Sequence, residues 1–238
     1  KTQDERNFWI NYNAIGDVVQ LESGRKESLP YYRKAQSGME SLTARQDGEM
    51  YLLDLAICYE RMGDAQEKNE DAAYWYKKEY DVYQKCQTSD IAEWIINCEV
   101  RLGDCYVKLG QLKKANSVYG DAYKKWNEYF KNKKTPEAIL NQAILFDRAG
   151  DIGSRVGQKA KALEYFRKSM QLLIQLEKQK STSTTRRNLA ASYRNVADEL
   201  ANVNVHEAKK YFEKEYAILK QLKQEKMGSI EGDLEYCQ

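Results

Sequence analysis

The sequence predicts an all-α protein, an array of five helical hairpins, and three observations carry that prediction. Ala56, Gly103, Gly150 and Ala197 follow one another at 47-residue intervals in matching surroundings, with Gly16 as an earlier copy. A fixed period of this order is the signature of one supersecondary unit stacked on copies of itself. Hydrophobic residues make up 42% and charged residues 31%, with only two prolines, a balance that fits solvated amphipathic helices and not β-structure or disorder. Finally, the residues after each small residue repeat their sizes at fixed offsets.

The third copy shows the offsets. Gly103 is followed by small residues at Gly110, Ala115 and Ala122 and by an aromatic at Tyr119. In two antiparallel helices the small residues let the backbones approach while the aromatic fills the space between them. The first copy repeats this with Gly16, Ser23, Ser28, Tyr32 and Ala35, and the fourth with Gly150, Gly157, Ala162, Phe166 and Ser169. The second, from Ala56 with Tyr59 and Gly63, regains register at Ala72 and Tyr76 if four residues are inserted around Gln66 to Asn69. The fifth, from Ala197, is one residue shorter, reaching Ala208 and Phe212, with Asn204 at the turn where a left-handed residue is expected.

The repeats are placed at 4–45, 46–87, 88–134, 135–181 and 182–227, with 228–238 a tail or the start of a further repeat, beginning Ile230-Glu231-Gly232-Asp233-Leu234. Thr135-Pro136-Glu137 reads as an N-cap, a first-turn proline and an acidic residue. Thr88-Ser89-Asp90 and Ser181 to Thr184 offer caps to the third and fifth repeats. Pro30 is placed near the start of the second of ten helices. The missing initiator Met and the uncapped ends suggest a segment of a longer protein.

These residues resemble the tetratricopeptide repeat, whose pattern runs Trp-x-x-Leu-Gly-x-x-Tyr, Ala-x-x-x-Phe and a closing Pro. Leu102-Gly103-x-x-Tyr106 matches the centre, and Tyr12, Phe146 and Tyr193 fill the leading aromatic position. The closing proline is absent and the period exceeds the usual 34 residues, so both helices are expected to be longer by about a turn or two. The long variant is similar to the arrays of kinesin light chains, of the polarity adaptor LGN and of bacterial signalling proteins. The resemblance implies an α-α superhelix, a right-handed solenoid, whose first helices line a concave groove that holds a peptide or partner protein.

Carried onto this chain, the groove positions one after each key small residue are Asp17, Ile57, Asp104, Asp151 and Asp198, an acidic column. Five after it stand Leu21, Arg61, Lys108, Arg155 and Asn202, a partial basic column. Asp104 with Lys108 and Asp151 with Arg155 have the i, i+4 spacing of helix ion pairs, which also stabilise exposed helices without recognising anything. Asn13, Asn97, Asp147 and Arg194 extend the groove. Asp104, Asp151, Asp198, Arg155 and Arg194 are expected as contacts, and Asn97 as a gripper of backbone amides. A chaperone tail is disfavoured, because the carboxylate clamp needs Asn and Lys where this chain carries Asp.

Composition and motifs narrow the function further. Lys and Arg total 38 against 36 acidic residues, so the net charge of +2 exerts no global pull on nucleic acid or membrane, and no stretch approaches 18 consecutive apolar residues. Basic clusters at Lys131, Lys133 and Lys134, at Lys178, Lys180, Arg186 and Arg187, and at Lys223 and Lys226 complement helix C-termini. They offer a nucleic-acid edge only as a disfavoured alternative. The aromatic run Tyr74-Trp75-Tyr76 with Tyr80 and Tyr83 reads as packing between repeats. Cys58, Cys86, Cys98, Cys105 and Cys237 form no Cys-x-x-Cys pair and read as small apolar residues in a reducing, cytoplasmic setting, with a redox role as the alternative.

An enzyme is not expected. His206, the single histidine, lacks the second histidine of the zinc-protease pattern, and Gly150 to Gly157 lacks the strand and the Gly-Lys-Ser/Thr ending of a phosphate loop. Asp147 and Asp151 share a helix face, a spacing common by chance. No cofactor, metal site or small-molecule substrate is expected. The alternatives to partner binding are self-association through uncapped ends and a scaffold regulating an attached catalytic domain.

Overall fold

The computed structural model describes residues 2–88, 91–130 and 135–225. Ser89, Asp90, Lys131, Lys133, Lys134, Lys226, Cys237 and the tail sequence 230–234 lie outside the described residues. The described residues form ten helices: α1 Thr2–Ser23, α2 Arg25–Arg45, α3 Glu49–Asp64, α4 Asn69–Tyr83, α5 Ala92–Lys108, α6 Leu112–Phe130, α7 Pro136–Arg155, α8 Lys159–Gln179, α9 Ser183–Leu200 and α10 Val205–Gln224. Contacts divide the chain into two compact units, Lys1–Trp126 and Asn127–Gln238.

In the first unit α1 packs on α2, α3 on α4, and each second helix on the first helix of the next hairpin, α2 on α3 and α4 on α5. Ala35, Met39, Leu42, Ala56, Cys58 and Tyr76 belong to the continuous apolar core this arrangement buries. The second unit repeats the plan with α7 on α8, α8 on α9 and α9 on α10, around Phe166, Leu173, Leu189, Tyr193 and Val196. Cys58, Cys98 and Cys105 are buried free thiols, and Cys86 is half-buried.

One glycine in each of four hairpins sets how closely the two helices approach. A methyl group on Gly16 would sit 2.5 Å from the Tyr32 ring, and one on Gly63 would sit 2.5 Å from the Tyr76 ring. Gly103 faces Tyr119 and Gly150 faces Phe166 in the same way. No side chain larger than hydrogen fits against those rings unless they move.

This corrects the register of the second repeat. The residue that meets the aromatic ring is Gly63, not Ala56, and the two are separated by about two helical turns, so both present the same face. Where the sequence pattern implied an insertion, the span from this glycine to its ring is shorter than in the third and fourth hairpins, because α3 ends at Asp64, directly after Gly63, whereas α5 and α7 run on to Lys108 and Arg155 beyond Gly103 and Gly150. Tyr59 becomes the leading aromatic of this hairpin, and Asp64, not Ile57, follows its key small residue.

The hairpin turns depart from expectation in three further places. Gly110 and Gly157 have φ of 70° and 79°, and nothing lies within 4 Å of a methyl group added at either. They serve the turn, not the helix contact. Gln111 N–H donates to the Tyr106 carbonyl at 2.8 Å and Gln158 N–H to that of Gly153 at 2.7 Å, closing each first helix with a left-handed cap. Asn204 is the N-cap of α10, with φ −146°, and its side chain accepts from Glu207 N–H at 3.1 Å. Pro30 lies inside α2, because α1 and α2 are separated by Gly24 alone and α2 starts at Arg25. Thr135 and Thr182 cap α7 and α9 through their hydroxyls, with Pro136 in the first turn of α7.

Candidate partner-binding face

The first helices of the first unit carry two adjoining depressions. A cavity of about 190 Å³ opens between α1 and α3, where Ile10, Ala14, Met39 and Ile57 form apolar walls and Asn13, Asp17, Asp54 and Arg61 add polar groups. A second, of about 270 Å³, is lined from α3 by Ile57, Glu60 and Arg61, from α5 by Trp94, Asn97 and Arg101, and from α4 by Tyr83. Ile57 and Arg61 belong to both and form the ridge between them. Four of the sequence-predicted groove residues, Asn13, Asp17, Arg61 and Asn97, are thus brought to one face.

Their polar groups are fixed unequally. Asn13 is 8% exposed. Its amide donates to the Cys58 sulfur at 3.1 Å, while its carbonyl oxygen is buried without a partner. Asp17 accepts from the Tyr32 hydroxyl at 2.8 Å and pairs with Arg61 across the α1–α3 gap at 2.8 Å. Asp54 is tied to Arg6. Arg101 bridges Glu60 at 3.0 Å and the fully buried Glu79 at 2.7 Å. Burial pushes the Glu79 carboxyl up to about 7 against the pull of Arg101. Asn97 is half-buried, with no hydrogen-bond partner for its amide among the described residues.

The acidic column has a structural use inside the hairpins. The hydroxyl of the key aromatic donates to the aspartate after the glycine in three hairpins: Tyr32 to Asp17 at 2.8 Å, Tyr76 to Asp64 at 2.6 Å, and Tyr119 to Asp104. Phe166 has no hydroxyl, and in that hairpin Asp151 instead accepts from Arg155 at 2.9 Å in the expected i, i+4 pair, with both side chains exposed. Lys108 is exposed at the end of α5, and Asp198 is exposed on α9.

Two residues of the second unit turn towards neighbouring helices. Asp147 lies against Ser169 of α8 and Asn195 of α9, one of its oxygens is buried without a partner, and burial raises its carboxyl to about 6. Asp151 is engaged with Arg155, so the two carboxylates that share a helix face meet different partners. Arg194 donates to Glu215 of α10, which is 2% exposed. Of the basic clusters, Arg186 is held by both oxygens of Glu225 at 2.8 and 2.6 Å, and Lys180 approaches Glu137 at 4.0 Å. His206 is exposed in the first turn of α10. Among the described residues no group of three His, Cys, Asp or Glu side chains is placed to hold a metal ion, and no helix is long and apolar enough to cross a membrane.

A recurrent aromatic–lysine stack escaped the sequence reading. Lys78 lies 4.9 Å from the Tyr59 ring centroid and 5.2 Å from that of Trp75. Lys168 covers Phe146 and Tyr165, and Lys214 covers Tyr193 and Tyr211. Each lysine stands two residues after the key aromatic and each second ring one before it, a signal visible only when second helices are aligned on that aromatic. The third hairpin substitutes Glu99 for the leading ring and pairs it with Lys125 at 2.6 Å. The sequence reading also missed Trp94, Glu60 and Arg101, which reach the α3–α5 cavity only through the stacking of hairpins.

No protein-family model and no curated protein sequence matches the chain. Solved structures do. The chain is similar to the apo form of the quorum sensor NprR from B. thuringiensis, with a TM-score of 0.63 and 17% identity over 90% of this chain and 54% of that one. It is similar to a signal transduction ATPase with numerous domains from Pyrococcus horikoshii, which carries a tetratricopeptide repeat sensor, with a TM-score of 0.62 and 15% identity over 90% of this chain and 33% of that one. The Rap conjugation gene regulator of the plasmid pLS20, in complex with the Phr* peptide, gives 0.57 and 16% over 87% and 52%. The chain therefore spans about a third of the ATPase and about half of the other two. The likeness establishes the fold as that of tetratricopeptide-type helical repeats.

Proposed function

We propose that the chain is a non-enzymatic interaction module that holds a peptide or a segment of a partner protein on the first-helix face of its first unit. The observation that carries this reading is the pair of adjoining cavities on the first helices, one bordered by Asn13, whose carbonyl oxygen is buried without a partner, and the other by the half-buried Asn97. A buried acceptor without a partner costs about 1–3 kcal/mol, and a ligand N–H would recover that cost. Peptide binding by the Rap regulator of the same fold supports the reading. Asp104 and Lys108 would extend the face along α5. Asp147, Asp151, Arg155, Arg194 and Asp198 would form the corresponding face of the second unit, where Arg155, Asp151 and Asp198 are the exposed members. The free cysteines accord with a reducing, cytoplasmic location.

Affinity capture with the wild-type chain beside Asn97→Trp, a substitution that fills the α3–α5 cavity from a half-buried position, tests the reading. A partner retained by the wild type and lost by a normally helical variant supports it, and equal retention by both refutes it. A second reading, self-association, draws on α1, where Phe8 is 50%, Ile15 44%, Val18 53% and Leu21 88% exposed. Sedimentation velocity across a hundredfold concentration range would reveal it as a rising sedimentation coefficient.

A further inference from the structure

α3, α5 and α9 each receive the preceding second helix on one face. Counted from the key small residue of the first helix, that face includes the positions eight and one before it, which are buried as Leu55 and Met62 in α3 and as Leu189 and Val196 in α9. In α1 the same positions hold the half-exposed Phe8 and Ile15, and Val18 is exposed where its counterpart, Ala65, is fully buried. With Asp4, Asn11 and Glu22, all exposed, they form one stripe at alternating spacings of four and three residues, the seam along which two helices pack side by side. α10 is open in the complementary way. The key aromatic of a second helix is buried as Tyr32, Tyr76, Tyr119 and Phe166, whereas its counterpart in α10, Phe212, is only partly buried.

We infer that the α1 stripe is the docking surface for α10 of a second copy, so that copies stack head to tail and continue the interface by which second helices cover first helices within each unit. The inference rests on the self-association reading above and adds the two surfaces, their register and their polarity. The α2–α3 interface supplies the register. There Leu29 and Tyr32 of α2 pack with Met62 of α3 and with Ala65, the residue that ends it. Glu40 accepts from the Tyr59 hydroxyl at 2.6 Å, and the Thr43 hydroxyl approaches the Tyr51 carbonyl at 3.5 Å. Transferred by repeat position, Phe212 and the aliphatic stem of Lys209 cover Ile15 and Val18, Lys220 comes to Tyr12, and Lys223 comes to Asp4. Glu22 stands one turn beyond Val18, where the Lys209 ammonium can reach it. The acidic ends of the stripe thus meet a helix whose solvent face carries Lys209, Lys210, Lys214, Lys220 and Lys223. A symmetric pairing of α1 with α1, centred on the stripe, brings like charges together instead: Asp4 against Glu22 if antiparallel, each acid against its own copy if parallel. A head-to-tail contact is not limited to two copies.

Sedimentation velocity on the full chain, across a hundredfold concentration range, tests the contact with three proteins: wild type, Ile15→Asp, which charges the α1 stripe, and Lys220→Glu/Lys223→Glu, which reverses the α10 face. The wild type should associate as concentration rises, and either variant should need at least about tenfold more protein to do so. An equimolar mixture of the two variants should form a dimer and nothing larger, because the intact α10 of one meets the intact α1 of the other and both remaining faces are blocked. Far-UV circular dichroism checks that each variant is helical, and Val18→Asp, at an exposed position of the same stripe, replaces Ile15→Asp if that chain does not fold. Association of Lys220→Glu/Lys223→Glu that Ile15→Asp abolishes would overturn the head-to-tail contact and leave self-association through α1 standing. Association retained by both variants places the contact elsewhere and overturns the inference as well. A wild type that stays monomeric at every concentration would remove both the inference and the self-association reading.

Discussion

Replacing Gly63 with alanine separates the packing role of the hairpin glycines from their helix propensity. Gly63 lies at the end of α3, and an added Cβ would stand 2.5 Å from Cε1 of Tyr76. Carbon atoms rest at about 3.5–4.0 Å, so the ring must retreat by about 1 Å. Its hydroxyl is anchored on Asp64 at 2.6 Å, one residue from the substitution, and the ring is itself 7% exposed. Overpacking of this kind costs about 1–3 kcal/mol, and a strained or lost hydrogen bond to a carboxylate can add about 1.5–3 kcal/mol. Alanine returns at most about 1 kcal/mol of helix propensity. The net expectation is a loss of about 1–3 kcal/mol, or roughly 3–10 °C in the thermal midpoint of a chain this size. Gly120→Ala is the control: it lies inside α6 with nothing within 4 Å of an added methyl, and should raise the midpoint by roughly 2–4 °C. Both are read by circular dichroism at 222 nm. If Gly63→Ala raises the midpoint as Gly120→Ala does, the close-approach account of these glycines is wrong. In a Tyr76→Leu background the penalty should shrink, because the ring it depends on is gone.

Three other outcomes follow from the same contacts. Phe166→Tyr should stabilise the fourth hairpin by about 0.5–1.5 kcal/mol by supplying the hydroxyl that its counterparts give to the following aspartate, and Tyr32→Phe should cost a similar amount; denaturant midpoints decide both. Arg194→Met removes the guanidinium that pairs with the buried Glu215 carboxylate and should cost about 3–5 kcal/mol, much of it recovered in Arg194→Met/Glu215→Leu. Asp147 has its folded-state pKa raised from the ordinary 3.8 to about 6, so the folded chain binds the proton more tightly than the unfolded chain between those values. Its contribution to stability is then present below about pH 4 and lost as pH rises to about 6. The thermal midpoint of Asp147→Asn relative to wild type should therefore rise across that window, and a flat difference would refute the assignment.

The repeat and the identity of the aromatics that face each glycine could be read from the sequence, because size periodicity reports which positions face a neighbouring helix. The pattern failed at Ala56 for a physical reason. Seven residues are about two turns, so Ala56 and Gly63 show the same face, and only the position of the ring along the helix axis distinguishes them. Asn204 was assigned to the correct turn and the wrong conformation, since asparagine suits both a left-handed residue and an N-cap. Gly110 and Gly157 fell at the correct positions for a different cause, backbone conformation in place of helix approach.

The candidate site divides along the same line. Asn13, Asp17, Arg61 and Asn97 could be nominated from sequence because helical period alone decides which side of a first helix a residue occupies. What each does there depends on which atoms meet across helices. Tertiary structure alone gave Asp17 to Tyr32 and Arg61, gave Arg194 to Glu215, left the Asn13 oxygen unpartnered, and joined Trp94 of one hairpin to Ile57 of another around a cavity. Period is a property of a single helix and is written in the chain. Distances between helices depend on how side chains of different hairpins interlock, and no spacing along one chain segment encodes them.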